Sequence, residues 1–318
     1  MLSESPHLSD EITLIVDVGT NAELILGNRD RLLAASSPTG PAYEGAEISC
    51  GQRAAPGAIE RLRIDKQTLA ATYKVIDCDL WSDEAGFEEA ISATGVTGIC
   101  GSGIIEALGE MYLAGILKSD GVIDGAAAQR SDAIQPHGSV FSYLIRPGTP
   151  EIRILQSDVR AIQLAKAALF AGARLLMDHM GIDHVDRISL AGAFGSHIDT
   201  KYAMLLGMIP DCPLDKVSAA GNAAGTGARI ALLNTKARDE IEQLVRRIKK
   251  IETAVEPGFQ DHFMKAIAIP HDDFEFPHLA RVVTLPDRAR DDGKARPATG
   301  GLSRRQLRKL RTAGKSPA

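Results

Sequence analysis

The stretch ITLIVDVGTNAELILGNRDRLLAAS, residues 12–36, carries the strongest structural signal in the chain. Its first apolar run ends at the acid Asp17 and is followed by the turn-forming sequence Gly-Thr-Asn. Further apolar runs occupy residues 22–26 and 31–36. Short apolar runs separated by glycine and asparagine are typical of strands joined by tight turns. The stretch therefore predicts a three-stranded meander whose first strand ends in a carboxylate.

Downstream of the meander the sequence predicts an alternation of glycine loops, helices and strands. In order, it predicts a glycine-rich loop at 39–59, a strand pair at 64–79, a helix at 104–113 opened by a glycine cluster, a loop-like region at 115–148, a long helix from Ser157 or Asp158 to Met180, a strand at 186–191, a helix at 200–206, a strand at 217–220, helices at 223–233 and 240–251, and a helix or strand at 259–269. This alternation favours an α/β fold with a mixed sheet flanked by helices.

Composition restricts the classes of function. The chain has 318 residues, of which 44% are apolar, 24% charged and only 4% aromatic, as expected for a globular α/β protein. It shows neither a membrane-length apolar run nor a signal segment, so we expect a cytoplasmic protein without a membrane partner. The four cysteines (Cys50, Cys78, Cys100 and Cys212) form no CxxC pair, which disfavours a zinc or iron–sulfur site built by this chain alone.

Charge is distributed unevenly along the chain. Eleven of the 36 Lys and Arg residues but only three of the 41 Asp and Glu residues lie in residues 281–318, so this segment carries a net charge of +8 and residues 1–280 carry −13. An acidic body is a poor general binder of nucleic acid. We therefore expect a folded unit at 10–280, a basic and disordered tail at 281–318, and no nucleic-acid partner.

Asp17 and the turn behind it form the first chemical motif. A carboxylate at a strand end, followed by Gly19, Thr20 and Asn21, suits a hydrated Mg²⁺, and the turn N–H groups suit phosphate oxygens. Asp17 is thus the candidate metal residue. The alternative is an ordinary β-turn, because Asp-x-Gly-Thr is a common string. Glu44 and Glu47 flank the next glycine loop, but their spacing does not define a metal site.

Three glycine segments between a strand and a helix form the second group of candidates. They are Gly192-Ala193-Phe194-Gly195 after the strand at 186–191, Gly221-Asn222 after the strand at 217–220, and Gly101-Ser102-Gly103 before the helix at 104–113. A glycine turn at the carboxyl end of a strand lets a phosphate or a base lie against the backbone. Tight packing of helix against strand is the alternative for each of them.

The order of these elements resembles one ribonuclease-H-like lobe of the actin/Hsp70/sugar-kinase (ASKHA) superfamily, in which two such lobes clamp MgATP. More specifically, seven strings resemble the C-terminal ATPase domain of the reductive activators of corrinoid proteins. They are DVGTNAE (17–23), GPAYEGA (40–46), GQRAAPGAI (51–59), GICGSG (98–103), QLAKAA (163–168), AGAFGSHID (191–199) and GN (221–222). The resemblance covers about residues 14–278.

The resemblance implies a function in corrinoid-dependent methyl transfer. Members of that family couple ATP binding and hydrolysis to the reduction of a corrinoid protein from Co(II) to Co(I). It implies ATP and Mg²⁺ as cofactors, a corrinoid protein as partner, a ferredoxin-like electron donor and a homodimer. By resemblance, Asp17, Gly19, Thr20 and Asn21 match the second phosphate-binding loop, and Gly192 to Gly195 match the adenosine-side loop, while a direct role for Gly101 to Gly103 is less specific.

The sequence also departs from the family pattern. Ala22 and Ala193 stand where the family usually has glycine, and the family's first phosphate-binding loop and its [2Fe–2S] ferredoxin cysteines have no counterpart in this sequence. We therefore expect the second lobe, with the [2Fe–2S] cluster in a missing N-terminal domain or a separate partner. Two alternatives remain open at this point: a degenerate lobe that docks a partner without hydrolysing ATP, and a small-molecule kinase of the same superfamily.

Overall fold

A computed structural model describes residues 1–195 and 197–286. Within these residues the strands are β1 (Thr13–Val18), β2 (Ala22–Gly27), β3 (Leu32–Ser37), β4 (Ala58–Ile64), β5 (Ala71–Val75), β6 (Gly98–Ile99), β7 (Ile134–His137), β8 (Val140–Arg146), β9 (Ile152–Ile154), β10 (Arg187–Ala191), β11 (Val217–Gly221) and β12 (Lys249–Lys250). The α-helices are α1 (Phe87–Ala90), α2 (Gly101–Leu113), α3 (Gln156–Met180), α4 (Gly192–Gly195), α5 (Thr200–Leu205), α6 (Ala223–Leu233), α7 (Thr235–Arg247), α8 (Pro257–Lys265) and α9 (Pro277–Ala280).

Two further expectations from the sequence concern membrane-spanning helices and the basic tail. None of the described helices combines the length and the apolar character needed to cross a membrane. The basic tail predicted at 281–318 lies, from residue 287 onward, outside the described residues.

A six-stranded mixed sheet in the order β11-β10-β1-β2-β3-β12 forms the centre of the molecule. β1 pairs antiparallel with β2 and parallel with β10, which in turn pairs parallel with β11. The meander β1-β2-β3 confirms the prediction from residues 12–36. Parallel pairing of β1, β10 and β11 means that these three strands end at the same edge of the sheet.

The long helix α3 covers β2 and β3 at very close range. A methyl carbon at Gly172 would lie 2.1 Å from Ser37 Oγ and 2.6 Å from Leu24 Cδ1, so only glycine permits this approach of helix to sheet. Leu24, on the same sheet, is fully buried. Close packing of this kind stabilises the core through apolar burial and dispersion.

Residues 38–155 form an insertion with two further sheets, β5-β4-β6 and β7-β8-β9. The helix α2 packs on β4 through Glu106, which is fully buried. The Glu106 carboxylate accepts hydrogen bonds from the guanidinium groups of Arg61 (2.7 Å) and Arg63 (2.5 Å) and from Leu62 N (3.0 Å). Because both of its oxygens are paired, this buried charge is compensated.

The structure corrects several element boundaries. The region 115–148, predicted to be loop-like, contains β7 and β8, whose residues Ile134 and Tyr143 are buried in the core. The helix predicted at 104–113 begins at Gly101, and the strand pair predicted at 64–79 begins at Ala58. Such ends depend on tertiary contacts that no local pattern contains.

The helix α3 begins at Gln156, one or two residues before the predicted start at Ser157 or Asp158. Leu155 occupies the N-cap position, and its N–H donates to the carboxylate of Asp158 at 2.8 Å. The same carboxylate accepts from Ser49 N and Ser49 Oγ, both at 2.9 Å. Asp158 therefore starts the helix and also anchors the loop that contains Ser49.

Lys166 is buried, although a lysine on an apolar helix face usually extends its amine to solvent. It is 1% exposed, and its amine donates to the carbonyl oxygens of Ala268 and Pro270, the latter at 2.8 Å. Burial lowers the pKa of Lys166 well below its usual value. The hydrogen bonds of this amine hold the segment after α8 against the middle of α3.

We expect this burial to make stability pH-dependent. In the unfolded chain the Lys166 amine has a pKa of about 10.4, whereas its pKa in the folded state is lower. Between these two pKa values the unfolded chain binds more protons, so raising the pH favours the folded state. The free energy of unfolding of the wild type minus that of Lys166→Met should increase from pH 7 to pH 9, by at most about 1.4 kcal/mol per pH unit. Urea unfolding at several pH values measures it.

The exposed Lys249 provides the control, because Lys249→Met should leave the pH dependence unchanged. A difference between wild type and Lys166→Met that does not vary with pH would show that the buried amine keeps an ordinary pKa.

Candidate functional site

Three parallel strands bring the predicted motifs to one edge of the central sheet. Asp17 on β1 is the register partner of Ala191 on β10, and Ala191 is the register partner of Gly221 on β11. The turn after Asp17, the bend at Gly192 and the start of α6 at Asn222 therefore begin at neighbouring positions of the sheet. Carboxyl ends of parallel strands are where α/β sheets commonly bind ligands.

Asp17 and Gly192 are in close contact at this edge. Gly192 has a φ of +86°, and a methyl carbon there would lie 2.7 Å from Asp17 Oδ1 and 2.8 Å from the Val18 carbonyl oxygen. Both the backbone conformation and the space therefore require glycine. The half-buried Asp17 carboxylate lies directly against the backbone of the bend.

The turn that follows Asp17 is held by the start of the glycine-rich loop predicted at 39–59, a contact that the sequence analysis did not predict. Thr39 Oγ1 lies 2.9 Å from the Gly19 carbonyl oxygen and 3.1 Å from that of Thr20, and donates to them. Gly40 N donates to the same Thr20 oxygen at 2.9 Å. Thr20 Oγ1 in turn donates to Glu44 Oε1 at 2.9 Å. The sequence signal was the Thr-Gly pair at 39–40, which opens the predicted glycine-rich loop.

Asn222 has a structural task at the third strand end. It is the N-cap of α6, and its Oδ1 accepts a hydrogen bond from Gly225 N at 2.7 Å. This satisfies one of the free N–H groups of the helix start. A ligand-binding role for Gly221 and Asn222 stays a prediction.

Gly101, Ser102 and Gly103 begin α2 and are packed against the second sheet. A methyl carbon at Gly103 would lie 2.2 Å from the Ile59 carbonyl oxygen, so close helix–strand packing explains this glycine. Ser102 Oγ lies 3.3 Å from Cys100 Sγ. The packing alternative therefore has direct support here, and contact of these residues with a ligand stays a prediction.

Ala22, one of the departures from the family pattern, is fully buried. It is the register partner of Val18 on β1 and of Ser37 on β3. Its methyl group is therefore enclosed by the protein core. The backbone of Ala193 belongs to α4, the short helix that follows the bend at Gly192.

A cavity of about 320 Å³ adjoins Asp17, between the sheet and α6. It is lined by Met1, Leu2, Ile15, Asp17, Glu23, Ile25, Ala223, Ala224, Gly227, Ala228, Ala231 and Ile241. Burial lowers the pKa of the Met1 amino group, and the carboxylates of Glu4 and Asp17 oppose that shift. A second cavity, of about 400 Å³, lies between the loop at Ser49 and the third sheet and contains none of the predicted site residues.

The arrangement suits a hydrated cation better than a protein-only metal cage. Among the described residues, no group of three or more His, Cys, Asp and Glu side chains has metal-binding geometry. Mg²⁺ typically keeps several waters and is held by one or two carboxylates together with phosphate oxygens. Asp17, half-buried beside the glycine bend, fits that donor set.

Comparison with known proteins gives relatives of one functional kind. The corrinoid activation enzyme RamQ of Eubacterium limosum is 33% identical over 266 residues, which cover 80% of this chain and 42% of RamQ. The Co(II) methylated amine-specific corrinoid protein reductase of Methanosarcina barkeri is 27% identical over 283 residues, 86% of this chain and 47% of the reductase. The chain thus spans less than half the length of these curated relatives.

A solved structure shares the fold as well. The reductive activator for corrinoid, iron–sulfur protein superposes with a TM-score of 0.71 at 34% identity, covering 85% of this chain and 41% of that one. The family described as the C-terminal domain of RACo, the ASKHA domain, matches residues 11–280. With its mixed sheet and its flanking helices, the chain belongs to this family of RACo C-terminal ASKHA domains.

Proposed function

We propose that the chain is the ATP-binding portion of a reductive activator, which couples ATP binding and hydrolysis to reduction of a corrinoid protein from Co(II) to Co(I). The observation that carries this proposal is the contact between the Asp17 carboxylate and the Gly192 bend at the shared end of three parallel strands. The names of the relatives, which describe corrinoid activation and corrinoid protein reduction, support the same role.

Each part of the edge has a chemical task in this proposal. Asp17 would hold the waters of a bound Mg²⁺, and the N–H groups of Thr20 and Asn21 would meet phosphate oxygens. The N–H of Gly19 already donates to the Asn21 carbonyl oxygen at 3.0 Å. The bend at Gly192 lets the Asp17 carboxylate lie against the backbone after β10, because a side chain there would overlap Asp17 Oδ1. Mg²⁺, when bound, neutralises phosphate charge. Thr39 and Gly40 keep the turn in place by holding its carbonyl groups.

The reductive half of the proposal needs an electron from outside this chain. One electron passes from a reduced ferredoxin-like [2Fe–2S] donor to cobalt, so Co(II) becomes Co(I) and the donor is oxidised. ATP binding and hydrolysis would supply free energy through a conformational difference between the nucleotide states. Whether the donor is joined to this chain or separate, the corrinoid protein is the proposed acceptor.

Removal of the Asp17 charge should weaken MgATP binding. We expect Asp17→Asn to raise the Kd at least about tenfold, because hydrogen bonds to a charged group contribute about 1.5–3 kcal/mol. Titration calorimetry with MgATP, extended to millimolar nucleotide, measures the change. Asp30→Asn, in the exposed turn between β2 and β3, is the matched control. Absence of MgATP binding by the wild-type chain would refute the proposed function.

A methyl group at the bend should damage both the fold and the site. Gly192→Ala strains a positive-φ backbone and presses a carbon against Asp17 Oδ1, so we expect a loss of about 1–3 kcal/mol in stability together with weaker MgATP binding. Gly138→Ala is the control, because Gly138 also has a positive φ (+63°) but nothing within 4 Å of the added carbon. Equal effects of the two substitutions on nucleotide affinity would contradict the contact with Asp17 as part of the site.

Reconstitution tests the coupling itself. The chain is mixed with a corrinoid protein in the Co(II) state, a reduced [2Fe–2S] donor protein and MgATP, and the visible spectrum is followed. We expect Co(I) to form in an ATP-dependent manner with wild type and more slowly with Asp17→Asn. Co(I) formation at the same rate without ATP, or transfer of phosphate to an added sugar or carboxylic acid, would favour the docking or the kinase alternative instead.

A further inference from the structure

Glu44 brings a second carboxylate to the turn behind Asp17. Its Oε1 accepts a hydrogen bond from Thr20 Oγ1 at 2.9 Å, across 24 positions of sequence. Both side chains are exposed, so they face the solvent side of the edge. Glu44 thus combines proximity to the candidate phosphate-binding turn with access to solvent.

The fold determines where Glu44 stands. The Thr39 hydroxyl and the Gly40 backbone N–H are hydrogen-bonded to the turn at Gly19 and Thr20, as described above. The chain then forms a 3-10 turn at Pro41–Glu44, in which Ala42 and Tyr43 are buried at 1% and 2% exposure. Glu44 is therefore the exposed end of an anchored turn, and its contact with Thr20 is built in by the buried side chains next to it.

Hydrogen-bond chemistry gives this contact a direction. An ionised carboxylate only accepts, and a threonine hydroxyl has a single proton. When Thr20 donates that proton to Glu44, its oxygen has only lone pairs left for a ligand. Such an oxygen repels a phosphate oxygen but accepts a hydrogen bond from a cation-bound water, or contacts the cation itself. The negative charge of Glu44 acts in the same direction.

From this we infer that Glu44 is a positioning residue that makes Thr20 a cation-facing acceptor, so that the site selects Mg²⁺-complexed over metal-free nucleotide. The inference rests on the proposed function, since it assigns a task within the same nucleotide site. In it, Asp17 and Thr20 would both accept hydrogen bonds from the waters of the metal. Glu44 acts through the Thr20 hydroxyl.

The test is the Mg²⁺ dependence of ATP binding by the full chain. Calorimetric titrations with ATP at a series of Mg²⁺ concentrations give the Mg²⁺ concentration that supports half-maximal affinity. We expect Glu44→Gln to raise this concentration by up to about tenfold, because the Gln amide oxygen still accepts from Thr20 but the hydrogen bond loses its charge assistance, while affinity at saturating Mg²⁺ changes much less. Glu47→Gln is the matched control, because Glu47 is an exposed acid of the same loop.

A double-mutant cycle separates positioning from a general effect of charge. Thr20→Val removes the hydroxyl but retains the shape, and it should shift the Mg²⁺ requirement by a similar factor. The Thr20→Val/Glu44→Gln variant should be no worse than Thr20→Val alone, since both changes act on one contact. Thr20→Ser, which keeps the hydroxyl, should restore the wild-type requirement. Thermal unfolding of each variant verifies that it is folded.

The outcomes are distinguishable. Failure of the wild type to bind MgATP overturns the proposed function, and this inference with it. Normal binding by the wild type, with Glu44→Gln indistinguishable from Glu47→Gln, overturns the inference alone. An equal loss of affinity with and without Mg²⁺, or additive effects in the double variant, assigns Glu44 a purely structural part in the loop and also overturns it.

Discussion

The contact between Asp17 and the bend at Gly192 is the constraint on which the candidate site depends. A side chain at position 192 would overlap the Asp17 carboxylate, and the backbone there has a conformation that glycine adopts without strain. Parallel pairing of β1 with β10 sets the two positions side by side. The proposed binding of the metal and of the nucleotide depends on this contact between the Asp17 carboxylate and the backbone at Gly192.

A layer of hydrogen bonds behind that contact keeps it in place. Thr39 and Gly40 bind the carbonyl oxygens of the turn, and Asp158 fastens the next part of the loop to the start of α3. Preorganised groups of this kind bind a ligand with less loss of conformational freedom than mobile ones. The insertion thus contributes to the edge of the central sheet, although it forms its own sheets elsewhere.

The glycine segments that looked alike in the sequence have different structural reasons. Gly192 is required by its contact with Asp17, Gly103 by the Ile59 carbonyl oxygen, and Gly221 is favoured by its positive φ of +61°. Only the first of these reasons involves the candidate metal residue. Close backbone approach serves helix packing as well as ligand binding, and a local pattern cannot separate the two.

The sequence by itself determined the meander, the long helix, the strand–glycine–helix units and the family, because apolar periodicity and turn residues act over short distances. It also identified Asp17 and Gly192 as residues of interest. Only the tertiary structure decided that Glu44 meets Thr20, that the amine of Lys166 is buried, and that β7 and β8 are strands. These features join residues that are far apart in the chain, and such contacts form only when the whole core packs.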